Sequence, residues 1–209
     1  MKIYTFLAAA QQHIYKNYFL SSLPQECEAF HEMHGGTYVD YGANKLFSDR
    51  MKTKTSFMIE KCKENFGDTI IFSDADVQFF GPIKNTLLEE LEDFDIACLQ
   101  GGFGNCFALC SGFFVCKCNS STLNLFENML NSFYRDDQFS LNQQRWRCKH
   151  KCLSPERFFT IGQVVLEKWA PEIEFNISEK ILVHHASGVV GLNDKVKLMD
   201  TVKNKYKNL

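Results

Sequence analysis

TIIFSDADVQFF, from Thr69 to Phe80, is a short apolar run that halts at two carboxylates, Asp74 and Asp76, and then turns apolar again. Thr, Ile, Ile and Phe suit a buried strand, and alternation along an extended chain sends residues two apart to the same side. The pattern predicts a strand whose end carries both carboxylates. Two like charges held that close raise one pKa unless a cation lies between them, so a divalent metal is their natural partner. In open α/β sheets, ligands bind beyond the carboxyl ends of strands, which is where this pair falls.

Outward from this stretch the chain alternates in period. Upstream, the pattern predicts a strand over Lys2–Ala10, a helix near Gln11–Leu20, and a helix near Met51–Asn65 that Gly67 closes. Downstream, Gly81-Pro82 breaks the chain, Asn85–Glu92 reads as helix and Ile96–Leu99 as strand. After GGFGN at Gly101–Asn105, Phe107–Cys116 is strand-like. Asn119 or Ser120 caps a helix over Thr122–Phe133 whose Leu123, Phe126, Leu130 and Phe133 share a face. A short helix over Asp136–Asn142, an apolar segment Ile181–His185 and a closing helix complete the pass. Such alternation predicts an α/β fold, a central mixed, mostly parallel sheet flanked by helices. With no repeat or linker composition in 209 residues, a single domain over 1–209 is expected.

Composition narrows the function classes. Aromatics reach 14%, with 20 Phe, which calls for a buried interior, and a formal net charge of -2 supplies no broad basic field for nucleic acid. The early apolar stretch Ile3–Ala10 is too short to span a bilayer and lacks a basic leader. Nine cysteines without an export signal are expected as reduced thiols in a cytoplasmic, soluble chain. CFALC, CKC and CKHKC lack the paired CxxC spacing of structural zinc sites, and buried thiols are the simpler reading.

The DAD triplet, with its apolar strand and the VQFF-Gly81-Pro82 that follows, resembles the DxD motif of GT-A glycosyltransferases. The branch in question contains glycogenin and the nucleotide-diphospho-sugar transferases, and the chain is also similar to small glycosyltransferases of large algal viruses. Further segments fall in the family's order. CSGFFVCK at Cys110–Lys117 resembles NxGF, with Ser111 read where Asn is usual and Gly112 following. DDQFSLN at Asp136–Asn142 resembles DQxxxN, and HHASG at His184–Gly188 resembles HxxG. The Lys-Pro-Trp that follows the histidine in glycogenin relatives is absent, which leaves Lys195 as the nearest later phosphate contact.

The resemblance implies a GT-A-type single domain that moves a sugar, with retention of configuration, from a nucleotide diphosphate donor, UDP-sugar above all, to a glycan acceptor. It implies Mn2+ or Mg2+ on Asp74, Asp76 and His185, with Asp137 and Gln138 as catalytic residues. Donor contacts are implied for Arg50, Lys54, Asp74, Ala75, Asp76, Ser111, Gly112, Gly188 and Lys195. The chemistry agrees: a hard cation neutralises charge on the leaving phosphate, and oxygen-rich sites with one imidazole suit these ions.

Plainer readings stand beside each residue. Asp74 and Asp76 also suit a solvated turn, His185 a core position with His184 structural on the opposite side, Arg50 and Lys54 an exposed helix face, and Asp137 and Gln138 a helix cap. Two rival functions are a haloacid dehalogenase-like phosphohydrolase and a carbohydrate-binding GT-A domain without turnover. GGFGN is the candidate wall of the sugar pocket.

Overall fold

The computed structural model describes residues 1–35, 45–102, 108–165 and 168–209. A six-stranded sheet forms its centre, in the order β2 (Glu28–His34), β1 (Lys2–Ala8), β3 (Thr69–Ser73), β6 (Ala108–Lys117), β5 (Ile96–Gly101) and β7 (His150–Cys152). β1 pairs in parallel with β2 and β3, and β5 with β7, while β6 is antiparallel to both neighbours. The sheet is therefore mostly parallel with one reversed strand, the α/β class that the alternation predicts.

Both faces of this sheet are covered, which is why β3 reads as an unbroken apolar run. Ile70 and Phe72 enter one core with Phe57 and Met58 of α2 (Lys45–Glu64) and Phe126 of α4 (Ser120–Asn131). Ile71 enters the opposite core with Leu87 and Leu91 of α3 (Lys84–Leu91). Gly67, at φ 95°, takes the left-handed conformation beyond the end of α2 and donates its N–H to the Cys118 carbonyl, so the chain reverses directly into β3.

A second, three-stranded sheet follows the order β4 (Val77–Phe79), β9 (Val183–His185) and β8 (Phe158–Thr160). The closing helix α6 (Leu192–Lys207) packs Leu198, Met199 and Val202 into a third core behind it. α5 (Asp137–Gln144) opens with Asp136 as its N-cap, the carboxylate accepting from Phe139 N–H at 2.6 Å.

Two expectations need correction, and one strand went unread. Gln11–Leu20 is a 3-10 turn, a single α turn at α1 (Gln12–Ile14) and a π-helical segment over Tyr15–Leu20. All three forms bring residues three to five apart together, so apolar spacing alone does not separate them. α4 buries Thr122, Leu125, Phe126 and Met129, leaving Leu123, Leu130 and Phe133 at the margin. Both sets satisfy helical spacing, and packing on α2 and α5 selects the first. Strand β2 went unread because EAFHEMH, an edge strand largely in contact with solvent, has no apolar alternation.

Candidate active site

Asp74-Ala75-Asp76 is a turn that carries the chain from β3 in the large sheet to β4 in the small one. The two carboxylates therefore converge through a turn and not through strand alternation, which corrects the sequence argument at that point. Each end of the turn is strapped to a different sheet. Asp74 N–H donates to the Gly112 carbonyl of β6 at 2.7 Å, and the Asp76 carbonyl accepts from Ala186 N–H, just past β9, at 2.9 Å. Ala75 between them is buried.

β9 supplies the imidazole. Its register sets His185 opposite Val77, and alternation sends His185 and His184 to opposite sides. His185 Nε2 lies 3.4 Å from Asp76 Oδ1 and 3.7 Å from Asp74 Oδ2. One ligand atom from each of the three residues falls within 4.8 Å of the others. Gly112 makes room for the ring: a Cβ there would stand 2.1 Å from His185 Cε1. Two carboxylates and one imidazole around a cradle that no larger residue permits form a donor set that fits a hard divalent cation.

Two lysines neutralise the carboxylates. Lys54 on α2 is buried, with Nζ 2.6 Å from Asp74 Oδ1, 2.8 Å from Asp137 Oδ2 at the start of α5, and 3.4 Å from the Ser111 carbonyl. Lys195, in the first turn of α6, places Nζ 2.5 Å from Asp76 Oδ2. Burial opposes the charge on Lys54, but Asp137 and Asp74 hold its pKa above the ordinary lysine value. Burial raises Asp74 against the pull of Lys54. Asp76 is driven the other way: burial disfavours its charge, yet Lys195 and His185 outweigh it and depress the carboxyl far below the usual range. His185 is opposed by burial and raised to about 10 by Asp76 and then Cys110.

His184 is oriented by a different contact. The Gln78 amide donates to the Met199 carbonyl at 3.1 Å and meets His184 Nδ1 at 2.9 Å. A carbonyl only accepts, so it fixes the NH2 end of Gln78 there, which makes Nδ1 the acceptor and leaves the His184 proton on Nε2. Burial, and then His185, lower the His184 pKa to about 3. The unfolded chain protonates this histidine near 6.5 and the folded chain only near 3, so its contribution to stability is lost as pH falls through that window. Urea unfolding of His184→Phe between pH 6.5 and 4 is expected to show a shallower acid loss than wild type, whatever the offset at pH 7; parallel curves would refute the neutral assignment.

The remaining sequence candidates divide. Counting back from Gly112, the first position of the NxGF-like segment falls on Cys110, not Ser111, and it is Cys110 whose side chain meets His185. Ser111 contributes its carbonyl. Asn142 brackets β6, its amide donating to the Leu109 carbonyl at 2.8 Å and accepting from Leu109 N–H at 2.9 Å, which seats α5 beside the site. Gln138 is half-buried, one position from Asp137 in the first turn of α5. Arg50 lies outside the cluster, near His34. Gly188, at φ 78°, turns the chain after β9 through a conformation that favours glycine. Phe103 to Asn105 of GGFGN lie outside the described residues. A cavity of about 590 Å3, lined by Tyr18, Glu26, Phe80, Lys203 and Tyr206 among others, includes none of Asp74, Asp76, Asp137 or His185. Among the described residues no helix is long and apolar enough to cross a membrane.

Residues 24–199 match the family described as nucleotide-diphospho-sugar transferase. No curated protein matches the sequence. Among solved structures, the fold is similar to the glycosyltransferase GlyE of Streptococcus pneumoniae TIGR4, at TM-score 0.51 and 13% identity over 74% of this chain and 45% of that one. It is similar to a glycosyltransferase involved in the glycosylation of the major capsid of PBCV-1, at TM-score 0.58 and 9% identity over 96% and 98%. It is also similar to the bifunctional glycosyltransferase WbbM, at TM-score 0.62 and 10% identity over 90% and 45%. The chain thus spans less than two thirds of GlyE and WbbM and nearly all of the PBCV-1 protein.

Proposed function

The chain belongs to the nucleotide-diphospho-sugar transferase family, and on that premise we propose that it transfers a sugar, with retention, from a nucleotide diphosphate donor, UDP-sugar first, to a glycan acceptor. The observation that carries this reading is the convergence of Asp74, Asp76 and His185 to within 4.8 Å at the junction of two sheets.

Asp74, Asp76 and His185 would hold Mn2+ or Mg2+. Bound there, such an ion supplies a Lewis acid that offsets the charge gathering on the departing diphosphate. The protein's own part is positioning. Lys195, bound to Asp76 by one flexible side chain, offers an ammonium to a phosphate oxygen. Lys54 is enclosed by Asp74, Asp137 and the Ser111 carbonyl, so it acts by holding those carboxylates in place and not by reaching for phosphate. Asp137 is set to hold sugar hydroxyls and Gln138 to present its amide beside the anomeric carbon, while the turn at Gly188 allows backbone close to the donor. Retention follows if the acceptor attacks from the face the phosphate leaves, the phosphate taking its proton.

The test is a panel of nucleotide sugars with Mn2+, scored for release of nucleotide diphosphate in the presence and absence of glycan acceptors. Metal-dependent release from one donor is the expected result. Binding of UDP and Mn2+ by calorimetry with no turnover of any donor would instead identify a carbohydrate-binding protein. The phosphohydrolase alternative is not supported by the family match.

A further inference from the structure

Cys110 and Gly112 lie two apart on β6 and so face the same side of the sheet. The His185 ring is seated on that face. Its Cε1 edge occupies the space a Cβ on Gly112 would fill, and of the two nitrogens flanking Cε1, Nδ1 lies 3.6 Å from Cys110 Sγ while Nε2 faces Asp74 and Asp76. Gly112 N–H lies 3.4 Å from the same sulfur. A backbone N–H only donates, so Sγ acts there as an acceptor. Cys110 and His185 are both buried, so solvent does not supply a substitute partner.

An imidazole that offers the Nε2 lone pair to a cation carries its proton on Nδ1, and that buried proton needs an acceptor. We infer that Cys110 is a positioning residue: its sulfur accepts the Nδ1 proton of His185, fixing the tautomer and ring orientation in which Nε2 faces the carboxylate pair. This rests on the proposal that Asp74, Asp76 and His185 hold a divalent cation. The sulfur suits the task by reach, since it spans from β6 to a ring carried on the other sheet, and the C-S-G triplet supplies both the acceptor and the gap. No bond is made or broken at the thiol.

The test is Mn2+ titration of the full chain, followed by electron paramagnetic resonance, for wild type, Cys110→Ser, Cys110→Ala and His185→Ala, with thermal unfolding alongside. Removal of a partner that orients a metal ligand weakens binding by about 10–100-fold. Cys110→Ala is expected in that range, with Cys110→Ser intermediate because its hydroxyl retains an acceptor. With Mg2+ bound, 15N spectra are expected to show His185 as a single Nδ1–H tautomer in wild type and as a mixture in Cys110→Ala, a change that loss of packing alone would not produce. If Cys110→Ala binds Mn2+ within twofold of wild type while His185→Ala is weakened, the role of Cys110 is refuted and the metal site stands. If His185→Ala also binds as wild type does, the metal site fails and this inference with it.

Discussion

Asp76→Asn is expected to abolish metal-dependent turnover of the donor, by about a thousandfold or more, while leaving the fold in place. The magnitude follows from the several kcal/mol of charge stabilisation that a bound cation supplies, at about 1.4 kcal/mol for each tenfold in rate. Asparagine keeps the shape of the side chain and the backbone bond from Ala186 N–H to the Asp76 carbonyl, so the turn survives. Lys195 loses this ion pair, but its side chain is partly exposed on a flexible stem and can turn toward water. Donor turnover over a range of Mn2+ concentrations, with circular dichroism as the control for folding, checks the expectation. Near-normal turnover by a folded variant would remove Asp76 from the mechanism.

Lys54→Met is expected to produce the largest loss of stability. Methionine is unbranched like lysine and one atom shorter, and it leaves the carboxylates of Asp74 and Asp137 facing one another without their shared cation. Breaking a buried ion pair by removing one partner costs about 3–5 kcal/mol, because the remaining charge has lost both water and counter-ion. For a domain of this size that corresponds to a fall of roughly 6–20 °C in Tm. The deficit should shrink below about pH 5, where protonation relieves the stranded carboxylates. Adding Asp137→Asn to Lys54→Met should recover part of the loss, since the two residues act as one network. Thermal unfolding of the single and double variants at pH 7 and pH 4.5 measures both effects. A Lys54→Met protein as stable as wild type at pH 7 would show that the cluster is solvated and that Lys54 does not hold it.

The legible part of the site was local. DAD and HHASG read as the ends of apolar segments, because a change from apolar to polar residues marks where a chain leaves the core, and DDQFSLN read as a short helix, which α5 is. Asn119, one of two cap candidates with Ser120, and Gly67 as the end of α2 are recognisable from the chain, each depending on backbone within a few residues. The buried face of α4 was misread because Leu123 and Leu125 both satisfy helical spacing, and only packing against α2 and α5 separates them. Lys54 illustrates the same limit. A lysine in the run MKTKTSF reads as helix surface, and nothing local announces that α5 brings a second carboxylate onto it. Cys110 escaped notice because a thiol within an apolar strand has the pattern of core.

The amino-acid sequence alone determined the buried strand TIIF, the carboxylate pair at its end and the α/β alternation around it, since these depend on side-chain period and on the conformations that glycine, proline and capping residues permit. Only the tertiary structure decided which imidazole faces Asp74 and Asp76, which lysine is enclosed and which stays partly exposed, and that Cys110 meets the ring. Those contacts join residues as far as 119 positions apart. Their geometry is set by how two sheets meet at one turn, a relation that no short stretch of chain contains.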